Sequence, residues 1–454
     1  MNTFTVCGTL IHTPVRGQLE VKRDALVEVD HNGRISAIHD AGSNAYASSK
    51  EQSRISGTLV ELSNGQYLLP GMIDLHIHAP QWPQLGNALD LPLNEWLQQR
   101  TFPLEAKYAD LEFAENVYTS LVDTLIANGT TTALYFATIH LESSKLLAKI
   151  CLDKGMRALV GKVAMDNPDQ CPAYYRDAST QQGLDDTRAL IEYIYAMAGN
   201  EQGRVLPVVT PRFIPSCTDE MLEGLGKLAE EYGCHVQTHC SESDWEHDYV
   251  AQRHGKRDTD SLDNFGLLTD KTVLAHACFI DDADMATIKA RQSGIAHCPY
   301  SNFYFSHAVF PARRALDAGL NIGLGTDVSG GANPSLLHSC AMAITASRAL
   351  EDGVNATIPA DQRGSPKSRI DFKEAFWMAT AGAGRALSLK IGQFRKGYAM
   401  DAIVVDTDIT ESDLIIWDEF DSDEDVLQKI IYNANRNNIC KVWVQGCLVG
   451  RAKS

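Results

Sequence analysis

The sequence predicts an α/β protein: a (β/α)8 barrel over residues 67–388, with a small β-sandwich domain assembled from both chain ends, 1–66 and 389–454. Three observations carry this expectation. Eight apolar strand candidates follow one another from residue 67 to residue 328, most of them separated by amphipathic segments of helix length, which is the count of such a barrel. Short strand-like pieces bounded by turn residues occupy both ends of the chain. Residues suited to metal binding and proton transfer fall at the ends of the barrel strands, where barrel enzymes assemble their active sites.

In chain order, FTVCGTLIH, ALVEVD, RISAIHD and GTLVELS read as short strands, with the polar stretch DAGSNAYASSKEQSR as a loose loop among them. The barrel strands are read as YLLPGMIDL, TTALYFAT, RALVGKVAM, VLPVVTPRF, CHVQTH, TVLAHACF, GIAHCPY and NIGLGTDV. DLEFAENVYTSLVDTLIANG and TDEMLEGLGKLAEEYG are helix candidates between them; the second opens on a Thr cap and closes on Gly233, which can turn left-handed without a Cβ clash. After the helical DFKEAFWMATAGAGRALSL come DAIVVD and NICKVWVQGCLVG, strands expected to pair with the N-terminal ones. Residues 329–369, polar in their later part, are expected to form a mobile loop.

Composition narrows the function classes. The net charge of -18 argues against a nucleic-acid partner, because phosphate binding depends on Lys and Arg, and favours a small-molecule substrate or a protein partner. The first residues lack a basic segment followed by an apolar core, and no apolar run is long enough to span a membrane, so a cytoplasmic protein is expected. Eleven cysteines, none in a C-x-x-C pair, argue against a disulfide framework or a Cys-rich zinc site.

The stretch LLPGMIDLHIHAP ends an apolar run on His76 and His78, which strand alternation sends to one side. Arg212 ends the fourth strand, His239 the fifth with Glu242 three residues on, His276 the sixth and Asp327 the eighth. His76, His78, His239 and Asp327 are the candidate ligands of one divalent metal, imidazole and carboxylate both suiting zinc, with iron(II) accepting the same donors. Glu242 reads either as part of a surface acidic turn or as the group that takes a proton from a metal-activated water. His276 is a core histidine or a group that polarises that water or a substrate atom, Asp327 a helix cap or a ligand, and His297 a structural neighbour of the ligands. The motif H-x-E with a following P-C-x-x-C is absent, as are H-E-x-x-H, G-x-x-x-x-G-K-[ST] and G-x-S-x-G. TPRF ends the fourth strand without a lysine that could bridge two metals, so one metal per chain is expected.

PGMIDLHIHAPQ, LPLNEWLQQRTFPLE, NGTTTALYFAT, TPRF, THCSE, VLAHACF, AHCPYSN and GLGTDVSGG together resemble the metal-dependent amidohydrolase superfamily, and within it the branch that deaminates guanine. The resemblance implies one Zn2+ on His76, His78, His239 and Asp327. Gln81 and Arg212 would hydrogen-bond the purine and Phe213 would wall it. Glu242 would shuttle the proton, Asp327 would manage the proton of the metal-bound water with it, and His276 would assist at the reacting carbon. It further implies guanine hydrolysis to xanthine and ammonia, in purine catabolism or salvage, by a homodimer. A deaminase of an adenosine-like or other aminated heterocycle is the alternative on the same barrel, and a non-catalytic scaffold is a third reading. Tyr300 and residues 329–369 depart from the branch's pattern and are expected at the pocket rim.

Overall fold

The computed structural model describes residues 3–451; positions 1–2 and 452–454, the outermost residues of the two expected β segments, lie outside the described residues. The chain opens with β1 (Phe4–Val15), β2 (Gln18–Val29), β3 (Ile35–His39), β4 (Leu59–Glu61) and β5 (Gln66–Pro70). The barrel strands follow: β6 (Met72–His78), β7 (Thr130–Phe136), β8 (Arg157–Gly161), the two-residue β9 (Val163–Ala164), β10 (Val205–Pro211), β11 (His235–Cys240), β12 (Thr272–His276), β13 (Gly294–His297) and β14 (Asn321–Leu324). The last strands are β15 (Ala402–Asp406), β16 (Ile439–Val444) and β17 (Cys447–Arg451).

All eight expected barrel strands are present and parallel, in the order β6-β7-β8-β10-β11-β12-β13-β14, with β9 an added rung on β10. The ring is closed by backbone bonds just past β14: Asp327 N–H donates to His76 C=O and His78 N–H to Val328 C=O, both at 2.9 Å. Helices pack outside, starting where the sequence offers caps. Thr218 accepts from the Met221 N–H to open Asp219–Tyr232, and Gly233 closes that helix in the left-handed region.

Inside the barrel, Ile73, Leu75, Leu134, Leu159, Val208 and Val273 form an apolar floor against Ala383 and Ala386 of the helix Ala381–Ala386 and Leu387 at its end. Leu75 and His76 are consecutive, yet both face inward. The reason is a bulge: β6 runs from Asp74 to Ile77 while β7 runs from Ala133 to Tyr135, so β6 carries one extra residue and alternation breaks there. The floor fills the barrel below, and the histidines stand above it.

The remaining strands form one sheet, β17-β16-β15-β5-β1-β2-β3, with β4 on β1. Phe4 on β1 stacks on Trp443 of β16 at 6.2 Å between ring centroids. Three strand spacings of about 4.8 Å separate those strands along the ladder, so the contact requires the sheet to curl over until its two halves face each other. The expected junction after residue 66 falls inside β5, and the chain passes from this sheet to the barrel between Pro70 and Met72.

Two expectations need correction. DAGSNAYASSKEQSR contains an α-helix, Asn44–Ile55, opened by Ser43 accepting from the Tyr46 N–H. Its residues favour helix without marking an apolar face, and Ser53 is the one buried side chain in it. Residues 329–369 include the helix Leu336–Asp352, which packs on the barrel through Leu336, Leu337, Cys340, Ala343 and Ile344, so only the later part is irregular and exposed.

Candidate active site

The C-terminal strand ends converge on one pocket, lined by His78, Gln81, Leu93, Trp96, Leu97, Arg212, Phe213, His239, Glu242, His276, Phe305, Asp327 and Gly330. His76 stands directly beneath, its ring 4.9 Å from those of His78 and His239. The backbone there is unusual: Ser241, His276, Ala277 and Asp327 all have φ between +48° and +69°, a left-handed region that costs a non-glycine residue about 1–3 kcal/mol. Such strain persists only where the surrounding structure imposes it, and here it turns strand ends inward. Gly325, ahead of Asp327, has no room for a side chain, since a Cβ would lie 2.8 Å from the His76 Cβ.

His76, His78 and His239 each offer a ring nitrogen to a common point, the three within 4.8 Å of one another. The Nε2 atoms of His78 and His239 are 3.1 Å apart, and Asp327 Oδ1 lies 3.3 Å from His76 Nε2 and 3.7 Å from His78 Nε2. His239 Nδ1–H donates to the Arg212 carbonyl at 2.6 Å, which leaves Nε2 as a lone pair aimed at the cluster. Burial holds all three imidazoles well below their usual range, in the neutral form that can ligate. Among the described residues His76 Nε2 is buried with no hydrogen-bond partner.

On the other side of Asp327, His276 Nε2 is 3.9 Å from Asp327 Oδ2 and 3.7 Å from Glu242 Oε1. Its Nδ1 lies 3.0 Å from the Asn302 side-chain oxygen, which accepts the Nδ1 proton and turns Nε2 into the pocket. Burial, and then the neighbouring Asp327 carboxylate, push Glu242 up to about 8. The Glu242 N–H is held by the Glu246 carboxylate at 2.7 Å, which fixes the turn that presents the side chain.

The purine-binding candidates share a partner that was not singled out from sequence. Glu105, the last residue of LPLNEWLQQRTFPLE, is fully buried and accepts from Arg212 at 2.7 Å and from Gln81 Nε2 at 2.9 Å. Gln81 Oε1 in turn accepts from the Ser329 N–H at 3.3 Å. Phe213 closes one wall against Trp245, with ring centroids 5.9 Å apart. Leu93, Trp96, Leu97 and Phe305 supply an apolar face that sequence reasoning did not name.

Asp74 was missed too. It accepts from the Thr326 hydroxyl at 2.5 Å, the Thr326 N–H at 3.0 Å and the His76 N–H at 3.2 Å, joining β6 to the turn that carries Asp327. Of the two rim expectations, Tyr300 is not among the pocket-lining residues, and 329–369 contributes Gly330 alone. His297 is buried against Phe310 and does not reach the pocket. Nine of the cysteines, Cys151 and Cys340 among them, are buried free thiols.

Residues 67–449 match the Amidohydrolase family. The chain is 38% identical over 448 residues to a probable guanine deaminase of Schizosaccharomyces pombe, covering 97% of this chain and 82% of that one. It is 38% identical over 447 residues to the guanine deaminase of Homo sapiens, covering 97% and 95%. Its fold superposes on the crystal structure of the C. acetobutylicum guanine deaminase with bound guanine in the active site, with a TM-score of 0.87, 32% identity, and coverage of 98% and 100%.

Proposed function

The chain belongs to the amidohydrolase family, whose members depend on a metal, and from that premise we propose that it is a zinc enzyme hydrolysing guanine to xanthine and ammonia. One observation carries the reading: a cluster of neutral imidazoles beside a carboxylate opens into the same pocket as the paired hydrogen-bond donors Gln81 and Arg212.

The residues present fit a metal. Three lone-pair nitrogens converge, and His76 Nε2 is buried without a hydrogen-bond partner among the described residues. The buried Asp327 carboxylate faces, at 3.3–3.9 Å, imidazoles that burial holds neutral, a costly arrangement without an ion. His76, His78, His239 and Asp327 would hold one ion, and the imidazole and carboxylate donor set suits zinc. When bound, such an ion supplies Lewis acidity that makes a coordinated water nucleophilic near neutral pH.

The chain's own residues do the rest. Arg212 and Gln81 present N–H groups, which suit the acceptor-rich edge of guanine, with its carbonyl oxygen and ring nitrogen. An adenine-type ring shows an amine there and would leave buried donors unpaired, a penalty of about 1–3 kcal/mol for each. Phe213 and the apolar face formed by Leu93, Trp96, Leu97 and Phe305 enclose the ring and exclude bulk water. Glu242 takes a proton from the attacking water and delivers it to the ring nitrogen next to the amine-bearing carbon. His276, with Nδ1–H on Asn302, turns Nε2 toward the reacting carbon and steadies the charge that develops there. The hydroxyl proton of the tetrahedral adduct then passes to the exocyclic amine, the C–N bond breaks and ammonia departs, leaving the carbonyl of xanthine, so guanine and water balance xanthine and ammonia.

The test is incubation of the purified protein with guanine, following xanthine and ammonia, with bound metal quantified on the same sample. Xanthine with one zinc per chain is expected. Zinc without xanthine would discard the substrate, and absence of bound metal would discard the site. The proposal extends to a cytoplasmic homodimer, checked by light scattering and cell fractionation; among the described residues no helix is long and apolar enough to cross a membrane.

A further inference from the structure

Gln81 sits just past β6 and Arg212 just past β10, three places apart in the ring of strands, yet one carboxylate holds both. Glu105 Oε1 accepts from Gln81 Nε2 at 2.9 Å, and Glu105 Oε2 accepts from Arg212 Nη1 at 2.7 Å. Neither end of this link is exposed: the side chains of Glu105 and Arg212 are 0% and 3% accessible. A buried ion pair contributes little net stability compared with apolar side chains of the same volume, because both charges lose their hydration. Its value therefore has to lie in where it keeps its members.

The consequences for the pocket follow from donor counts. Glu105 engages part of the guanidinium, which keeps further N–H groups to point at a ligand. Gln81 is oriented by the same carboxylate, since an amide that donates to Glu105 must turn its oxygen to Ser329, where the Ser329 N–H meets it at 3.3 Å. Both side chains thus face the pocket as donors, with the amide flip decided by Glu105 and Ser329 together. Phe102, 5.1 Å beneath the guanidinium, completes the seat.

We propose that Glu105 is a positioning residue for substrate selection: through one carboxylate it fixes Gln81 and Arg212 as a paired donor wall that recognises a ring carbonyl. The inference rests on the guanine reading of the site. Without Glu105 the guanidinium and the amide would turn independently, and each would have to be ordered by the ligand at the time of binding.

The experiment uses the zinc-loaded, full-length protein and two ligands, guanine and 2-aminopurine, which carries the same amine but lacks the carbonyl. KM and kcat for guanine and the affinity for 2-aminopurine are measured in wild type and in Glu105→Gln. The expected result is a guanine KM raised at least tenfold, roughly the loss of one charge-assisted bond, with 2-aminopurine affinity changed less than about threefold and zinc content unchanged. Unaltered guanine binding overturns the proposal. Equal loss of both ligands also overturns it, because that marks a role in stability alone. Should Glu105→Gln fail to fold with Arg212 left unpaired, the double variant Glu105→Gln/Arg212→Gln removes both charges and is compared with Arg212→Gln. It is expected to bind guanine more weakly than Arg212→Gln only by the part that acts through Gln81. Adding Glu105→Gln to Arg212→Gln/Gln81→Ala should therefore change guanine binding less than about threefold. A further, additive loss in that background would show that Glu105 acts independently of both donors and overturns the proposal. The two readings fail separately: a wild-type protein that makes no xanthine overturns the substrate assignment, while an active Glu105→Gln with intact guanine preference overturns only the positioning role.

Discussion

Burial raises the Glu242 carboxyl above the usual carboxylate range, so a proton taken from the attacking water is held there until the ring nitrogen accepts it. Replacing it with Gln keeps the size and removes the transferable proton. We expect Glu242→Gln to retain its metal, measured by atomic absorption, and to lose turnover about a hundredfold or more. Near-normal turnover would move the proton transfer to another group. At this scale the sequence was informative where a residue was out of character with its surroundings. His76, His78, His239, His276 and Asp327 are polar residues ending apolar strands, and that anomaly marked them. Glu105, Asp74 and Asn302 gave no comparable sign. Each matters through a partner far away in the chain: Arg212 for Glu105, Thr326 for Asp74 and His276 for Asn302. Pairings of that kind appear only once the barrel has closed.

Among the elements, the eight barrel strands were legible because strands buried on both faces read as continuous apolar runs. The helix Leu336–Asp352 was not, because it packs through small residues such as Ser339, Cys340, Ala343 and Ser347, and a stripe of small side chains is a weak hydrophobic signal. The bulge in β6 was equally invisible, although the inward direction of both His76 and His78 survives it. In β1, His12 shows how a polar side chain can be built into an element at a cost that depends on pH. It is 2% exposed, its Nδ1 accepts the Phe394 N–H at 3.3 Å, and Nε2 faces Glu20 at 3.3 Å. Burial lowers it from 6.5 to about 4, outweighing the attraction of Glu20. Between those values the unfolded chain binds the proton and the folded one does not. The stabilisation is therefore complete above about pH 6.5 and lost as pH falls to about 4, an effect of about 3 kcal/mol at most for this one site. Denaturant titrations at several pH values should show His12→Asn with a shallower loss across that window. Identical slopes in both proteins would assign the acid sensitivity to other groups.

For the whole molecule, the question is whether barrel and curled sheet unfold together. Arg157 opens β8 at the lower end of the barrel, and Asp401 precedes β15 in the sheet. Their side chains are 8% and 1% exposed and meet through two bonds, Nε to Oδ2 at 3.1 Å and Nη2 to Oδ1 at 3.2 Å. Asp401 Oδ1 also accepts the Gln445 N–H at 2.6 Å, and the Asp401 carbonyl accepts the Gly71 N–H at 2.9 Å, at the point where the chain enters the barrel. One residue thus ties together the sheet, the turn between its last two strands and the first barrel strand. Removing one member of such a pair leaves a buried charge uncompensated, a loss of about 3–5 kcal/mol, while removing both exchanges two desolvation costs for apolar contact. Asp401→Ala should accordingly lower stability by that order, and Arg157→Met/Asp401→Leu should recover a large part of it. Because the pair lies away from the pocket, guanine turnover per folded molecule should be unchanged in both variants. If the two units are coupled through this contact, the wild type unfolds in one transition whether followed by the fluorescence of Trp443, which is packed inside the curled sheet, or by loss of activity in the barrel. In Asp401→Ala the two probes should separate, with the sheet melting first, since the barrel keeps its own floor and its closed ring of strands. Coincident transitions in that variant would show that the apolar contacts between the units couple them without the ion pair.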